Sequence, residues 1–125
     1  MTTDSKPASH RTEHDFLGEM QIPFNAYWGV HTARAVDNFP ISGIAISAMP
    51  DLIRAFGLVK KAAARTNAEL GALDRKRAAA IILACNDLIE GKHHSEFVVD
   101  VIQGGAGTST NMNVNEVLAN IALEK

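Results

Sequence analysis

Disulfides are the first thing this chain does without: a single cysteine, Cys85, stands among 125 residues. An intrachain bridge is excluded, and so small a thiol count fits a reducing compartment. Cys85 falls inside the apolar run from Ala78 to Leu88 and reads as a small core residue. Aromatic residues are also scarce, at 6% of the chain, with one Trp and one Tyr. Charge of either sign is modest. Twelve Lys and Arg against 14 Asp and Glu leave a net charge of −2, which gives no electrostatic footprint for nucleic acid or an anionic membrane. No stretch is apolar for long enough to span a bilayer and none has a signal-peptide pattern, so the cytoplasm is the expected compartment. Internal repeats and low-complexity tracts are lacking too. What remains is 46% hydrophobic residues in a length suited to one domain with a modest core.

Metal ligands are equally thin. His93 and His94 are adjacent, but neighbouring side chains rarely point at one ion and no further ligand lies at fitting spacing. No metal and no cofactor is expected.

The most informative stretch is Gly104-Gly-Ala-Gly-Thr-Ser-Thr-Asn-Met-Asn-Val-Asn-Glu-Val-Leu-Ala-Asn120. Gly104, Gly105 and Gly107 permit positive φ and close approach of backbone to a ligand. Thr108, Ser109 and Thr110 follow where a helix begins, and Val114, Val117, Leu118 and Ile121 keep the i, i+3, i+4, i+7 spacing of one buried face. A helix N-terminus attracts anions through unpaired N–H groups and its dipole, so the stretch reads as a pocket for a carboxylate or phosphate. It is not a P-loop, since no Gly-Lys-Ser/Thr follows, and it lacks the third glycine of the dinucleotide fingerprint. A flexible connector with a Ser/Thr cap is the other reading of the same residues. Asn at 111, 113, 115 and 120 is unusual in a helix, because Asn is a mediocre helix former. The amides are therefore expected to be used for hydrogen bonds.

Upstream, residues 1–12 are polar and without periodicity and read as a mobile tail. Residues 13–29 are punctuated by Gly18, Pro23 and Gly29, the look of an ordered, irregular arm carrying Phe16, Phe24, Tyr27 and Trp28. Those aromatics either cover the chain's own core or meet another subunit. Arg34 is suited to holding a carboxylate through its planar fork, or to a surface pair with Asp37. His31 is a candidate to titrate near a site, or a plain polar neighbour. From Pro50, the residues Leu52, Phe56, Val59, Ala63, Thr66 and Leu70 step by four and three, which predicts a helix with a narrow packing seam, stopped by Gly71. Asp74 is the expected cap of a second helix carrying Ala78, Ile81, Ile82, Cys85, Leu88 and Ile89 inward and ending before Gly91. Phe97 to Ile102 is β-branched and short, suited to extended backbone. The class is mainly α with an irregular N-terminal arm.

Three stretches together resemble a known family. Tyr27-Trp-Gly-Val-His-Thr-x-Arg-Ala-x-x-Asn-Phe-Pro-Ile-Ser42, Val59-Lys-Lys-Ala-Ala63 and Gln103-Gly-Gly-Ala-Gly-Thr-Ser-Thr-Asn-Met-Asn-x-Asn-Glu-Val-Leu-Ala-Asn120 are similar to the aspartase/fumarase superfamily, over about residues 13–125. Within it, Trp28-Gly-Val-His-Thr32 and Ala106-Gly-Thr-Ser-Thr110 depart from the Trp-Gly-x-Gln-Thr and Ser-Gly-Thr-Gln-Ser patterns usual in class II fumarases, towards the aspartase side. Trp28 is itself a departure, since aspartases often have a second Tyr there.

The resemblance implies the rest. Residues 13–110 correspond to the N-terminal lyase domain and 111–125 to the start of the first helix of a central bundle whose remainder lies outside this sequence. Lys125 is followed by no helix stop signal, so the chain is expected to be a portion of a longer protein and inactive alone. The implied reaction is reversible elimination of ammonia from L-aspartate to give fumarate, in a homotetramer whose sites form among three subunits. The implied catalytic serine lies beyond residue 125. Thr108, Ser109 and Asn111 are the implied substrate-binding residues. Of these, Thr108 offers a hydroxyl to a substrate carboxylate, Ser109 stands beside it and Asn111 braces the turn; His31 and Arg34 support them. A class II fumarate hydratase and a non-catalytic helical module that binds a dicarboxylate are the alternatives.

Overall fold

The computed structural model describes residues 9–125, so residues 1–8 of the expected tail lie outside the described residues. Two strands, β1 (His10–Asp15) and β2 (Gly18–Pro23), pair antiparallel from His10 opposite Pro23 to Asp15 opposite Gly18. Four helices follow: α1 (Val30–Asn38), α2 (Pro50–Glu69), α3 (Arg75–Ile89) and α4 (Thr108–Leu123). The mainly α class holds.

The expected irregular arm is thus a hairpin through Pro23 and irregular only from Phe24 to Gly29. Its tight end forms because the Asp15 carboxylate accepts from the Leu17 N–H at 2.9 Å and Gly18 takes φ of 124°, a conformation that L residues rarely adopt. At the open end, Arg11 donates to the carbonyls of Pro23 (3.0 Å), Phe24 (3.0 Å), Ala26 (2.7 Å) and Trp28 (2.9 Å). One guanidinium therefore supplies the donors that a regular ladder would have provided along this segment.

Helix α1 was not marked by periodicity, and its start has no capping side chain of its own, because Gly29 precedes it. Its first N–H groups are capped from a distance. The Val30 N–H donates to Glu13 Oε1 (3.2 Å), His31 N–H to Glu116 Oε2 (3.1 Å), and Thr32 N–H and hydroxyl to Glu116 Oε1 (2.8 and 2.6 Å). Carboxylates at a helix N-terminus also meet the positive end of its dipole.

Helices α2 and α3 lie where periodicity put them. Pro50 opens α2 with φ already set, and Gly71 closes it at φ of 74°. Asp74 caps α3 by accepting from the Arg77 N–H at 2.9 Å, and Ala78, Cys85 and Leu88 point inward as expected. The expected seam of α2 is a correction. Leu52, Val59 and Leu70 are 37%, 63% and 76% exposed, while Ile53, Gly57 and Ala64 face the core. The helix turns its small residues to α3: a Cβ on Gly57 would stand 3.0 Å from Ile89 Cγ1 and 3.2 Å from the Cys85 carbonyl oxygen. Close approach of two backbones here outweighs burial of the larger side chains one position away.

Phe97 to Ile102 is extended in part. Ile46 N–H donates to the Val99 carbonyl (2.9 Å), Ser47 N–H to that of Phe97 (3.0 Å) and Val101 N–H to that of Ile44 (2.9 Å). Phe97 and Val99 join Ile53, Cys85, Leu88, Val114, Val117 and Ile121 in one core. Among the described residues no helix is long and apolar enough to cross a membrane.

Candidate functional site

The glycine stretch does form a turn into a helix N-terminus. Gly105 and Gly107 have φ of 86° and 82°, and a Cβ on Gly104 would make ordinary contact with the Phe39 ring at 3.4 Å. Gly107 stands at the cap position of α4 and has no side chain to offer. Thr108 is exposed, Ser109 half-buried and Thr110 buried. Two of the three hydroxyl-bearing residues thus reach the surface rather than the chain's own interior. The Asn111 N–H donates to the Gly107 carbonyl at 3.0 Å and the Thr110 N–H to Gln103 Oε1 at 2.9 Å. The N–H groups of Thr108 and Ser109 take no partner among the described residues. A hydroxyl, two free N–H groups and the positive end of a 16-residue helix converge on one exposed spot, an arrangement that favours an anion.

The turn is anchored behind by Asp100. Its carboxylate accepts from the Ser42 N–H (2.9 Å), Ser42 hydroxyl (2.7 Å), Gly43 N–H (2.9 Å) and Ile102 N–H (2.8 Å). These donors, the Ile102 N–H first and the Ser42 hydroxyl next, hold its pKa down to about 2 against the opposing effect of burial. Gln103 Nε2 donates to the Asp100 carbonyl at 2.7 Å, which joins this anchor to α4.

The amides of α4 are employed as their density suggested. Asn111 Oδ1 accepts from Lys60 Nζ at 2.7 Å. Asn113, fully buried, accepts from the Val98 N–H (3.1 Å) and donates to the Glu96 carbonyl (3.0 Å). Asn120 donates to the Tyr27 carbonyl at 2.6 Å. These three side chains tie α4 to α2, to the segment before the glycine turn and to the irregular arm.

His31 and Arg34 sit elsewhere in this chain. Arg34 pairs with Asp15, not with Asp37: its Nε and Nη2 donate to the two carboxylate oxygens at 2.8 and 2.7 Å, and Nη2 also to the Gly18 carbonyl at 3.1 Å. The Arg34 hydrogen bond is the main reason that the Asp15 carboxyl is lowered to about 2. His31 and Arg34 line a cavity of about 540 Å³ with His14, Asp15, Phe16 and Leu17. The α1 start is bonded to Glu116, which lies two turns of α4 beyond Thr108, about 12 Å along its axis. His94 Nε2 is 2.8 Å from the Leu88 carbonyl oxygen, and the His93 ring stands edge-on to Tyr27. The two histidines therefore face different neighbours.

Sequence reasoning gave no role to Gln103, Asp100, Glu116 or Lys60. Glu116, Asp100 and Lys60 act on segments far along the chain, 85, 58 and 51 residues away for His31, Ser42 and Asn111, whereas Gln103 bonds across only three and seven residues. No helical or strand period signals any of these bonds.

Comparison with known proteins decides the family. Residues 18–125 match the model of a family described as lyase. The chain belongs to the lyase family. The chain is 58% identical over 120 residues to the aspartate ammonia-lyase of Pseudomonas fluorescens, covering 96% of this chain and 25% of that protein. It is 56% identical over 115 residues to the class II fumarate hydratase of Halobacterium salinarum, covering 92% of this chain and 24% of that protein. Its fold matches the crystal structure of a Brucella melitensis protein described as fumarate lyase:delta crystallin, with a TM-score of 0.90 and 54% identity over 94% of this chain and 27% of that one. The chain spans about a quarter of the length of the curated relatives it matches.

Proposed function

We propose that the complete protein is an aspartate ammonia-lyase, converting L-aspartate reversibly to fumarate and ammonia. One observation carries the reading: the Gly107–Thr108–Ser109 turn faces outward at the start of α4, in a chain 58% identical to a protein of that name. A base removes the proton on the carbon beside the β-carboxylate. The electron pair spreads into that carboxylate as a dianionic aci-carboxylate, then returns to form the C=C bond as the C–N bond breaks and ammonia leaves. So weak an acid yields its proton only if fixed donors stabilise the developing charge, and each such donor is worth about 3 kcal/mol. Thr108 Oγ1 is assigned as a donor to a substrate carboxylate and Ser109 as its neighbour. Asn111, held by Lys60, keeps the first turn of α4 in place. His31 and Arg34 support the site from the hairpin end, a role that requires groups brought by another part of the assembly. The base and the remaining ligands are assigned to segments outside this sequence and to other copies in a homotetramer.

The Halobacterium relative favours a second reading, class II fumarate hydratase, in which water adds to fumarate. Incubating the complete gene product with L-aspartate, and separately with fumarate in ammonia-free buffer, distinguishes them. Fumarate and ammonia from aspartate support the proposal; malate from fumarate, with no aspartate turnover, replaces it with the second. Dicarboxylate binding without turnover of either substrate refutes both.

A further inference from the structure

We propose that Gln103 is a positioning residue for this cradle: its side-chain amide clips the glycine turn across seven residues and so sets where the Thr108 hydroxyl stands. The inference rests on the reading of the turn as a substrate-carboxylate cradle. A helix start needs acceptors for its first N–H groups, and a Ser, Thr, Asp or Asn at the cap position usually supplies one to the third helical residue. Gly107 cannot. Gln103 takes over that duty from outside the turn, because Oε1 accepts from the Thr110 N–H at 2.9 Å. The other half of the same amide is also engaged, with Nε2 donating to the Asp100 carbonyl at 2.7 Å. Asp100 is itself fixed by four donors on Ser42, Gly43 and Ile102.

The two bonds together orient the amide, with oxygen towards α4 and nitrogen towards Asp100. Between the clipped points lie Gly104, Gly105, Ala106 and Gly107, a stretch with three glycines, two of them at positive φ, and so little intrinsic preference for one conformation. Satisfying the third N–H from behind leaves those of Thr108 and Ser109 free beside the Thr108 hydroxyl. A side-chain cap at position 107 would have to adopt φ of 82°, which L residues rarely take. A clip from position 103 avoids that strain. Misplacing a catalytic donor by about 1 Å costs about 10²-fold, so the clip bears on rate rather than on folding alone.

The test compares Gln103→Ala, Gln103→Glu and Thr108→Val in the complete protein, by steady-state kinetics, melting midpoint and calorimetric binding of succinate, a dicarboxylate that cannot eliminate. Gln103→Ala frees the turn, so kcat falls about 30-fold or more while KM changes little. Gln103→Glu keeps the acceptor for Thr110, loses the donor to the Asp100 carbonyl and adds a negative charge behind the helix start that receives the anion, so KM and the succinate dissociation constant rise at least tenfold with kcat less affected. A purely structural role moves the melting midpoint of Gln103→Ala without producing these opposite patterns. The clip is overturned if Thr108→Val is impaired while both Gln103 variants stay within twofold of the parent, or if the two share one pattern. Thr108→Val within twofold of the parent removes instead the cradle reading on which the clip depends. Should Gln103→Ala fail to fold, Gln103→Glu and its succinate affinity decide the matter.

Discussion

Gly29→Ala tests the long-range capping of α1 with a single methyl group. Gly29 has φ of −129° and ψ of −155°, extended backbone that alanine adopts without strain, so any effect must come from contact. A Cβ built there overlaps Glu116 Oε2 and lies 2.7 Å from Glu13 Oε1. Both atoms belong to the carboxylates that hold the first N–H groups of α1, so the methyl group must displace at least one of them. An N-terminal cap is worth about 1 kcal/mol and a hydrogen bond to a charged group about 1.5–3 kcal/mol. Two of the four bonds are to well-placed donors on Thr32, at 2.8 and 2.6 Å. We expect a local loss of about 2 kcal/mol, which corresponds to about 30-fold faster amide exchange in α1. Hydrogen exchange of the complete protein, read by mass spectrometry over residues 30–38, measures it. Glu116→Asp in the same background draws the carboxylate back by a methylene and should recover part of the loss. Exchange within threefold of the parent, or no recovery with Glu116→Asp, would refute the reasoning.

Other outcomes follow from the same geometry. Thr108→Val in the complete protein should lower kcat/KM about 10²-fold, the worth of one preorganised donor, with little change in melting midpoint because the side chain is exposed. Gly57→Ala gains about 1 kcal/mol of helix propensity but drives a methyl group against Ile89 and the Cys85 carbonyl, so a net loss of about 1 kcal/mol is expected in urea unfolding; a more stable variant would show that α2 and α3 separate freely. Asp15 and Asp100 are lowered from 3.8 to about 2 by their donors. Their contribution to stability is present above about pH 4 and is lost as the pH falls towards 2. Unfolding midpoints between pH 5 and 2 should drop accordingly, and Asp15→Asn with Asp100→Asn should flatten that drop. The 125-residue chain alone should release no ammonia from aspartate above background in a coupled assay.

Much of the helical frame was legible because its signals are local. Asp74 at the head of α3, Pro50 at the head of α2 and the glycines at 71 and 91 act within a turn of where they stand, and the faces of α3 and α4 follow simple periods. The hairpin was illegible for the opposite reason. His10 to Asp15 is polar on both faces, so its alternation is of exposure and not of hydrophobicity. Helix α1 is hidden because its caps come from Glu13 and Glu116. The α2 seam was misread because the four-and-three spacing ran through Leu52 and Val59, whereas close approach to α3 selected Gly57 and Ala64. At the candidate site, the hydroxyls and glycines were visible as residue types. The Arg34–Asp15 pair and the anchoring of Asp100 by Ser42 and Gly43 were not, since their partners are set by tertiary folding.

The lone thiol offers a practical handle. Cys85 is fully buried in the α2–α3 contact, and burial raises its pKa to about 11. Almost no thiolate exists at neutral pH, and none of it faces solvent, so a maleimide or disulfide dye should modify this position only when the two helices part. The rate of dye uptake at Cys85, located by peptide mapping, would clock the breathing of the helix pair without any engineered label.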